Sequence, residues 1–174
     1  ANLQWSGDAV YTMDQAEEDE VYLSYAIPKE GANLWFDGWV MMKNGIEQDE
    51  RKQQAAEAFV NFISRSDNVI RNMYFIGYTS TIAGEPEGPI CDYIDYCYGA
   101  EDENEAVPHD ISYFYGMDEG SVVMDVEPDQ MHRQLYAQYP PKKDLDRCVV
   151  MRCFDNEANS RIAGMWTDIR CFSF

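Results

Sequence analysis

The sequence predicts an α/β fold, in which short strands alternate with amphipathic helices. Residues 48–64 repeat apolar side chains every three or four positions, which is typical of a helix with one buried face. Residues 21–26 (VYLSYA) alternate between two faces as a strand does, and CVVM at 148–151 is a candidate buried strand between helices. The length of 174 residues fits one domain or two small lobes.

The first half of the chain opens with a predicted short helix. Ser6 starts it, and Asp8 lies in its first turn, where a carboxylate interacts favourably with the helix dipole. The helix is expected to reach about Gln15. After the first strand, the turn PKEGAN at 28–33 leads into a second extended run that is rich in aromatic residues, LWFDGWVMM at 34–42.

The remaining elements are predicted from the same periodicities, from capping residues and from chain breakers. They are the helix at 48–64, a short helix from Ser66 to about Met73, a loop at 77–89, a helix at 87–98, a solvated acidic loop at 100–106, a short strand at 122–126 and a last helix capped by Asp155. That last helix carries an apolar stripe of Ile162, Met165, Trp166 and Ile169.

The chain is strongly acidic. Acidic residues outnumber basic ones by 32 to 13, which gives a formal net charge of −19 at pH 7. Such a chain repels phosphate backbones and anionic membrane surfaces, so nucleic acid is not an expected partner. Cationic ligands are favoured. The alternative explanation is solubility alone, because most acidic surpluses are only solvated surface.

The residue types that carry catalysis or bind metals form no known pattern. Five cysteines occur without a CxxC pair or an accompanying His spacing, so we predict no metal site and expect buried free thiols. The two histidines, His109 and His132, have no spaced Cys or Ser partner that indicates a triad. Phosphate-binding, dinucleotide-binding and zinc-protease motifs do not occur. We therefore predict that the protein is not an enzyme and uses no cofactor.

Two tryptophans stand close to carboxylates at the ends of predicted segments. Trp5 precedes Asp8 by three residues at the turn into a helix, and Trp35 and Asp37 leave the same face of an extended run. An alkylammonium ion is recognised by this combination, because a carboxylate accepts its N–H bonds while an aromatic face attracts its charge, at about 0.5–2 kcal/mol per contact. The alternative is structural: Trp35 and Trp39 belong to the core, and Asp37 caps a turn.

Three segments together resemble the C-terminal half of the periplasmic spermidine/putrescine-binding proteins of ABC importers. They are WSGDA at 5–9, IPKEGANLWFDGWVM at 27–41 and AAEAFVNFISRSDNVIRNMYFIGYTST at 55–81, and the likeness resumes in YPP at 139–141 and in MWTDIR at 165–170. The PKEG turn, the aromatic-Asp pair after it and the helix junction NFxxRxD make the match specific. The resemblance implies part of a two-lobed clamshell of the type II periplasmic-binding-protein class, a mixed sheet flanked by helices, which closes on a polyamine.

Carried over residue by residue, the resemblance implies a ligand-binding site. Trp5 matches the tryptophan that stacks along the methylene groups of the ligand, and Trp35 is the second aromatic wall. Asp37 matches the carboxylate that takes a terminal ammonium, and Asp8 matches a position that is acidic in putrescine-type members. Tyr78, in FIGYTST, matches a tyrosine that helps to close the site.

Arg152 departs from the family's pattern. It falls where the family has a polar amide or a lysine near one end of the ligand, and its permanent charge repels an ammonium unless Asp37 or Asp8 pairs with it. Two alternatives follow. Either Arg152 grips the carboxylate of a different solute, such as an amino acid or a carboxylated amine, or the site is inactive and an acidic insertion docks a basic protein partner.

The resemblance also implies a domain organisation. Residues 1–174 are the C-terminal portion of a solute-binding domain whose N-terminal lobe is missing from this sequence, and residues 85–138 are a divergent acidic and aromatic insertion. The implied partners are a polyamine or another small cation, the permease of an ABC transporter, and the missing lobe of the same parent protein. The implied location is the periplasm, either free or tethered to the inner membrane through the parent protein.

Overall fold

The computed structural model describes residues 1–47, 49–102 and 104–171, which form a mixed fold of helices and small sheets. The helices are α1 (Ser6–Glu18), α2 (Lys43–Ile46), α3 (Glu50–Ile63), α4 (Ser66–Ile76), α5 (Pro89–Tyr98), α6 (Gln134–Gln138), α7 (Lys142–Leu145) and α8 (Asn156–Cys171). The strands are β1 (Asn33–Leu34), β2 (Val107–Asp110), β3 (Val123–Val126) and β4 (Val149–Val150). Single 3₁₀ turns span Ser112–Tyr115 and Pro128–His132. This content agrees with the predicted α/β class.

The predicted helices form, with shifts at their ends. α1 extends past the predicted end at Gln15. α3 begins after Asp49, whose Oδ1 accepts hydrogen bonds from the N–H groups of Arg51 and Lys52 at 3.1 and 3.3 Å, and a side-chain cap of this kind stabilises a helix start. The predicted first residue of this helix, Gln48, lies outside the described residues.

The other helices agree with their sequence signals as well. α4 continues to Ile76 rather than ending near Met73, and α5 covers most of the predicted 87–98. α8 begins beside Asp155, whose Oδ1 accepts from the Ala158 N–H at 2.8 Å. The described part of the acidic stretch at 100–106 contains no helix and no strand, and Glu103 lies outside the described residues.

The strand predicted at 21–26 does not form, so this prediction was wrong. In the described structure its backbone makes one hydrogen bond to a distant segment, from the Tyr25 N–H to the His132 carbonyl at 2.8 Å. Val21 and Tyr22 are exposed. Because a strand is held by a row of bonds to a neighbouring strand, the alternating pattern alone was not sufficient.

β1 and β4 form a parallel pair, in which Asn33 lies opposite Val149 and Leu34 opposite Val150. The strand predicted at 148–151 is therefore right in position but wrong in burial, because both valines are exposed. The second extended run contributes only Leu34 to a strand. Parallel sheets are normally covered on both faces, so a two-stranded parallel pair with exposed valines is unusual.

β2 and β3 form an antiparallel pair, and Gly99 adds an isolated bridge to Val126. The strand predicted at 122–126 is confirmed. β2 was not predicted, because VPHD is too short and too polar to show an alternating pattern. It places His109 in the interior, 3% exposed, where Nε2 lies 2.8 Å from the Tyr139 carbonyl oxygen.

The larger hydrophobic core lies between α4, α5, the β2–β3 pair and the α6 region. Its buried members are Val69, Met73, Ile90, Ile94, Tyr98, Ile111, Met124, Val126, Leu135 and Tyr139. Most of them fall within 85–138, so the segment interpreted as an insertion supplies most of the interior. A smaller cluster joins α1 to α6 through Ala9, Val10, Met13 and Ala137.

A buried arginine also joins α1 to α6. Arg133 Nη2 donates to Glu17 Oε2 at 2.5 Å, and its Nε lies 3.7 Å from Asp129 Oδ2. The guanidinium also stacks over the ring of Tyr22 at 5.3 Å from the centroid. The pairing with Glu17 fixes the position of α1, since removing Glu17 would leave the buried arginine with only the longer contact to Asp129.

The cysteines are all free thiols, but they are not all buried as expected. Cys91, Cys97 and Cys148 are half-buried, whereas Cys153 and Cys171 are exposed. The exposed pair lies in the C-terminal part of the chain, which contributes nothing to either hydrophobic cluster.

Apolar side chains face solvent on several elements. In the described structure, no residue of α3 or α8 is buried, and Met165, Trp166 and Ile169 of the predicted stripe are exposed. Phe36 and Val40, in the run after β1, are exposed too. Among the helices described, none is both long and apolar enough to cross a membrane.

Candidate functional site

Trp5 and Asp8 are held at the start of α1. Trp5 precedes the first helical residue in an extended conformation, and its carbonyl accepts a hydrogen bond from the Ala9 N–H at 2.9 Å. Gln4 Nε2 donates to the Asp8 carbonyl at 3.1 Å and to Thr12 Oγ1 at 2.6 Å, which fixes the chain in front of the helix. Trp5 and Asp8 are both exposed, so this turn presents them at the surface.

Trp35 is placed by the PKEG turn and by β1. The Gly31 N–H donates to the Pro28 carbonyl at 2.9 Å, and Gly31 has a φ of +94°, a conformation that favours glycine. A Cβ atom at Gly31 would lie 2.0 Å from the carbonyl oxygen of Arg147. The turn therefore packs directly on the backbone that precedes β4. Trp35 is the first residue after β1.

Arg147 is in turn fixed by a buried carboxylate. Asp144 accepts hydrogen bonds from the Tyr136 hydroxyl at 2.7 Å and from Arg147 Nη1 at 2.5 Å. Burial acts to raise the pKa of Asp144, but these two hydrogen bonds and the charge of Arg147 hold it below its usual value. The turn that carries Trp35 thus rests on a charged network between α6 and α7.

Tyr78 is positioned by Gly7 and Gln138. Its ring lies directly against the Cα of Gly7, which is buried in the first turn of α1. Gln138 holds the residues on either side of Tyr78: its Nε2 donates to the Gly77 carbonyl at 2.7 Å, and its carbonyl accepts from Thr79 Oγ1 at 2.8 Å. The loop after α4 is therefore tied to α6.

Three rings from three separate segments converge. The ring centroids of Trp5 and Trp35 are 5.4 Å apart with planes at 76°, and those of Trp35 and Tyr78 are 5.5 Å apart at 66°. Both are edge-to-face contacts, an arrangement that aromatic pairs favour. Trp5 remains 50% exposed. We call Trp5, Trp35 and Tyr78 the aromatic cluster.

Two carboxylates act electrostatically on Tyr78 of the aromatic cluster. Burial raises the pKa of Tyr78, and the negative charge of Asp8 raises it further, with a smaller effect of Asp37 in the same direction. Both carboxylates are therefore close enough to influence the phenol, and both are exposed. The raised pKa keeps the Tyr78 hydroxyl protonated at neutral pH.

Arg152 does not join this group. It is exposed, and within residues 1–47, 49–102 and 104–171 it forms no ion pair. The β1–β4 pairing ends at Leu34 and Val150, so it does not extend to Arg152 or to Asp37.

The alternative interpretation, that Trp35 and Trp39 belong to the hydrophobic core, is not supported at Trp39. Its ring contacts Phe59 of α3 edge-to-face at 5.5 Å, but it is 70% exposed and belongs to neither core cluster. Trp35 is half-buried and contacts the other rings of the aromatic cluster instead. The structure thus brings together the rings of Trp5, Trp35 and Tyr78, with Asp8 in the helix turn that Tyr78 contacts and Asp37 two residues after Trp35.

Sequence reasoning missed two residues that shape the site. Gly7 allows Tyr78 to approach α1, and Gln138 holds the loop that carries Tyr78. A glycine in the first turn of a helix was a visible signal of close approach. No local pattern identified Gln138, because its partners at Gly77 and Thr79 are distant in sequence.

No protein-family model matches the chain, and no solved structure matches it significantly.

Within the part of the chain that the structure describes, no group of three or more His, Cys, Asp or Glu side chains is arranged to hold a metal ion.

Proposed function

We propose that this chain is part of a solute-binding protein that captures an organic cation, with a polyamine such as putrescine or spermidine as its ligand. The observation that carries the proposal is the aromatic cluster, in which the ring centroids of Trp5 and Trp35 are 5.4 Å apart and those of Trp35 and Tyr78 are 5.5 Å apart. Asp8 and Asp37 place negative charge beside it. The net charge of −19 attracts cations over a longer range.

Each residue type has a role in such a complex. Asp37 accepts N–H bonds from one terminal ammonium, and Asp8 accepts them from the other end of a short diamine. The rings of Trp5, Trp35 and Tyr78 lie along the methylene groups and attract the charge. Cation–π contacts contribute about 0.5–2 kcal/mol each, and hydrogen bonds to charged groups about 1.5–3 kcal/mol. The role we propose is binding without catalysis.

The exposed elements support a companion lobe. Both valines of β4 are exposed, and α8 presents Met165, Trp166 and Ile169 to solvent. Large apolar side chains grouped on one exposed helix are typical of an interaction surface. In our proposal a second lobe extends the β1–β4 pair and supplies the opposite walls of the site. The whole is then a type II clamshell that closes on the ligand in the periplasm and delivers it to the permease of an ABC importer.

Isothermal titration calorimetry with putrescine and spermidine tests the proposal, on this chain and on the longer parent protein. We expect weak binding by this chain, because it supplies only part of the walls. We expect the parent to bind with a dissociation constant in the micromolar range or below, about −8 kcal/mol or better. If the parent gives neither heat nor thermal stabilisation with either amine, the polyamine assignment is wrong.

A parallel titration separates the proposal from the alternative that concerns Arg152. A free amino acid offers a carboxylate that an arginine can grip with two parallel hydrogen bonds. We expect no binding of an amino acid, since Arg152 forms no ion pair with Asp8 or Asp37 among the described residues. Tight amino-acid binding that is lost in Arg152→Gln would favour the alternative.

A further inference from the structure

A groove lies between α1, α4, α5 and α6, next to the aromatic cluster but lined by none of its rings. Its volume is about 980 Å³. Tyr93 and Tyr98, which are half-buried and buried, lie in its floor, and the exposed Tyr11, Tyr74 and Tyr96 stand at its rim. We call it the tyrosine groove. Its size suits a small organic ligand.

The charged side chains that line the tyrosine groove are all negative among the described residues. Among the described residues, Asp8 and Asp14 line it, whereas no lysine, arginine or histidine does. Asp14 Oδ1 accepts a hydrogen bond from Nε2 of the buried Gln134 at 2.9 Å. In the described structure the other oxygen of Asp14 has no hydrogen bond and no ion pair. Asp14 is an exposed residue, so its carboxylate lies at the rim of the groove, held by Gln134 and with one oxygen available.

The tyrosines in the floor remain neutral. Burial raises the pKa of Tyr93 and of Tyr98, and neighbouring groups, including the charge of Asp14, raise both further. Their rings therefore present uncharged faces beside a carboxylate. A carboxylate among neutral aromatic faces is a favourable environment for an organic cation.

We propose that the tyrosine groove is a second binding site, for an alkylammonium ion, with Asp14 as its anion and the tyrosine rings as its walls. A metal ion fits less well, because calcium and magnesium require about six oxygen ligands and Asp14 offers one free oxygen. An alkyl chain on the ammonium covers the apolar part of the tyrosine rings. The groove shares Asp8 with the site of the proposed function, but Trp5, Trp35 and Tyr78 are not part of it, so its test does not depend on polyamine capture.

Titration of the chain with butylammonium, followed by ¹H–¹⁵N NMR at constant ionic strength, tests this site. The backbone amides of Tyr93 and Tyr96 report on the groove, while the indole N–H signals of Trp5 and Trp35 report on the aromatic cluster. We expect the groove amides to shift with saturation, and Asp14→Asn to weaken this binding about tenfold. The asparagine carbonyl still accepts the Gln134 hydrogen bond, so the fold is kept.

Two further variants make the result decisive. Asp19→Asn removes the same charge at the C-terminal end of α1, outside the groove, and should bind butylammonium as the unaltered chain does. Tyr96→Ala removes an exposed ring from the rim and should weaken the groove titration without loss of fold. Groove amides that do not shift, or an Asp14→Asn variant that titrates like Asp19→Asn, would overturn the proposal. So would an Asp14→Asn variant that abolishes the indole shifts as well, since the groove would then not be a separate site.

Discussion

The Cα of Gly7 and the ring of Tyr78 are in direct contact: a Cβ atom built on Gly7 would lie 2.2 Å from Cδ2 of Tyr78. No real Cβ approaches another carbon so closely, so only glycine allows Tyr78 to lie over the first turn of α1. The same turn carries Asp8 and follows Trp5. The relationship therefore couples the loop after α4 to the start of α1, and it brings the third ring into the aromatic cluster.

Substituting Gly7→Ala is expected to displace the Tyr78 ring. Alanine favours a helix more than glycine by about 1 kcal/mol, so α1 itself should not be weakened. The loss of one aromatic wall should reduce polyamine affinity about two- to thirtyfold. Calorimetry and urea denaturation, applied to the same protein, separate the two effects. The matched control is Gly164→Ala in α8, where an added Cβ meets nothing within 4 Å. Unchanged affinity in Gly7→Ala would show that Tyr78 is not a wall of the site.

Gln138 is expected to position Tyr78 through its hydrogen bonds to the neighbouring residues Gly77 and Thr79. Its Oε1 accepts from the Tyr98 hydroxyl at 2.6 Å, and its Nε2 donates to the Gly77 carbonyl. Gln138→Met leaves both groups without their partner, which should lower the free energy of unfolding by about 1–3 kcal/mol and weaken amine binding. Adding Tyr98→Phe should recover part of the stability, because it removes the orphaned hydroxyl, but not the binding. A double-mutant cycle in urea measures this coupling, and strictly additive effects would contradict it.

Gly31→Ala should be strongly destabilising. Its φ of +94° is strained for any L-residue, and an added Cβ would lie 2.0 Å from the Arg147 carbonyl oxygen, a backbone atom that has no freedom to move aside. The conformational term alone costs about 1–2 kcal/mol. Gly38→Ala, at a glycine with nothing within 4 Å of its added Cβ, is the control and should be nearly neutral. Equal urea midpoints for the two variants would show that the PKEG turn is not under this constraint.

The buried His109 should make stability depend on pH. Burial lowers the pKa of His109 below 6.5, although the hydrogen bond to the Tyr139 carbonyl and the charge of Asp110 oppose this. The unfolded chain therefore takes up the proton first as the pH falls below 6.5, and the folded state loses stability there, by at most about 1.4 kcal/mol per pH unit for this one group. His109→Gln should flatten this slope in urea titrations between pH 6.5 and 5. A slope that is the same in both proteins would contradict the assignment.

Asp110 and Asp144 make the stability of the fold depend on pH in a lower range. The pKa of Asp110 is lowered by hydrogen bonding to Ser112, and that of Asp144 by Tyr136 and Arg147 against the effect of burial. Both carboxylates thus add stability above the usual aspartate pKa of 3.8, and this stability is lost only as the pH falls below that value. The histidine effect is therefore measurable separately.

The pairs Trp5–Asp8 and Trp35–Asp37 could be recognised from the sequence because each is local. Three residues at a helix start and two residues in an extended run place the side chains close together before any tertiary contact forms. Tyr78 entered through the family resemblance and not through spacing. Its place in the aromatic cluster depends on Gly7 and Gln138, and contacts between such distant residues leave no periodic signal in the chain.

The errors in the predicted fold also arise from contacts between residues that are distant in sequence. The 21–26 segment alternates as a strand does, but in the described structure it has one distant backbone hydrogen bond, and pairing rather than alternation makes a strand. Val149 and Val150 were expected to be buried because they are apolar. They pair with the two residues of β1 and remain exposed, because burial depends on what packs over a strand.

The central claim is that Asp37 and the aromatic cluster form one site for an organic cation. Calorimetric titration of putrescine into the longer parent protein that we propose, in the unaltered form and as Asp37→Asn, tests it most directly, with Asp19→Asn as the charge-matched control. We predict that Asp37→Asn loses about tenfold or more in affinity, as expected for one charge-assisted hydrogen-bonding group, while Asp19→Asn binds like the unaltered protein. Equal affinities for the unaltered protein and Asp37→Asn would contradict the claim.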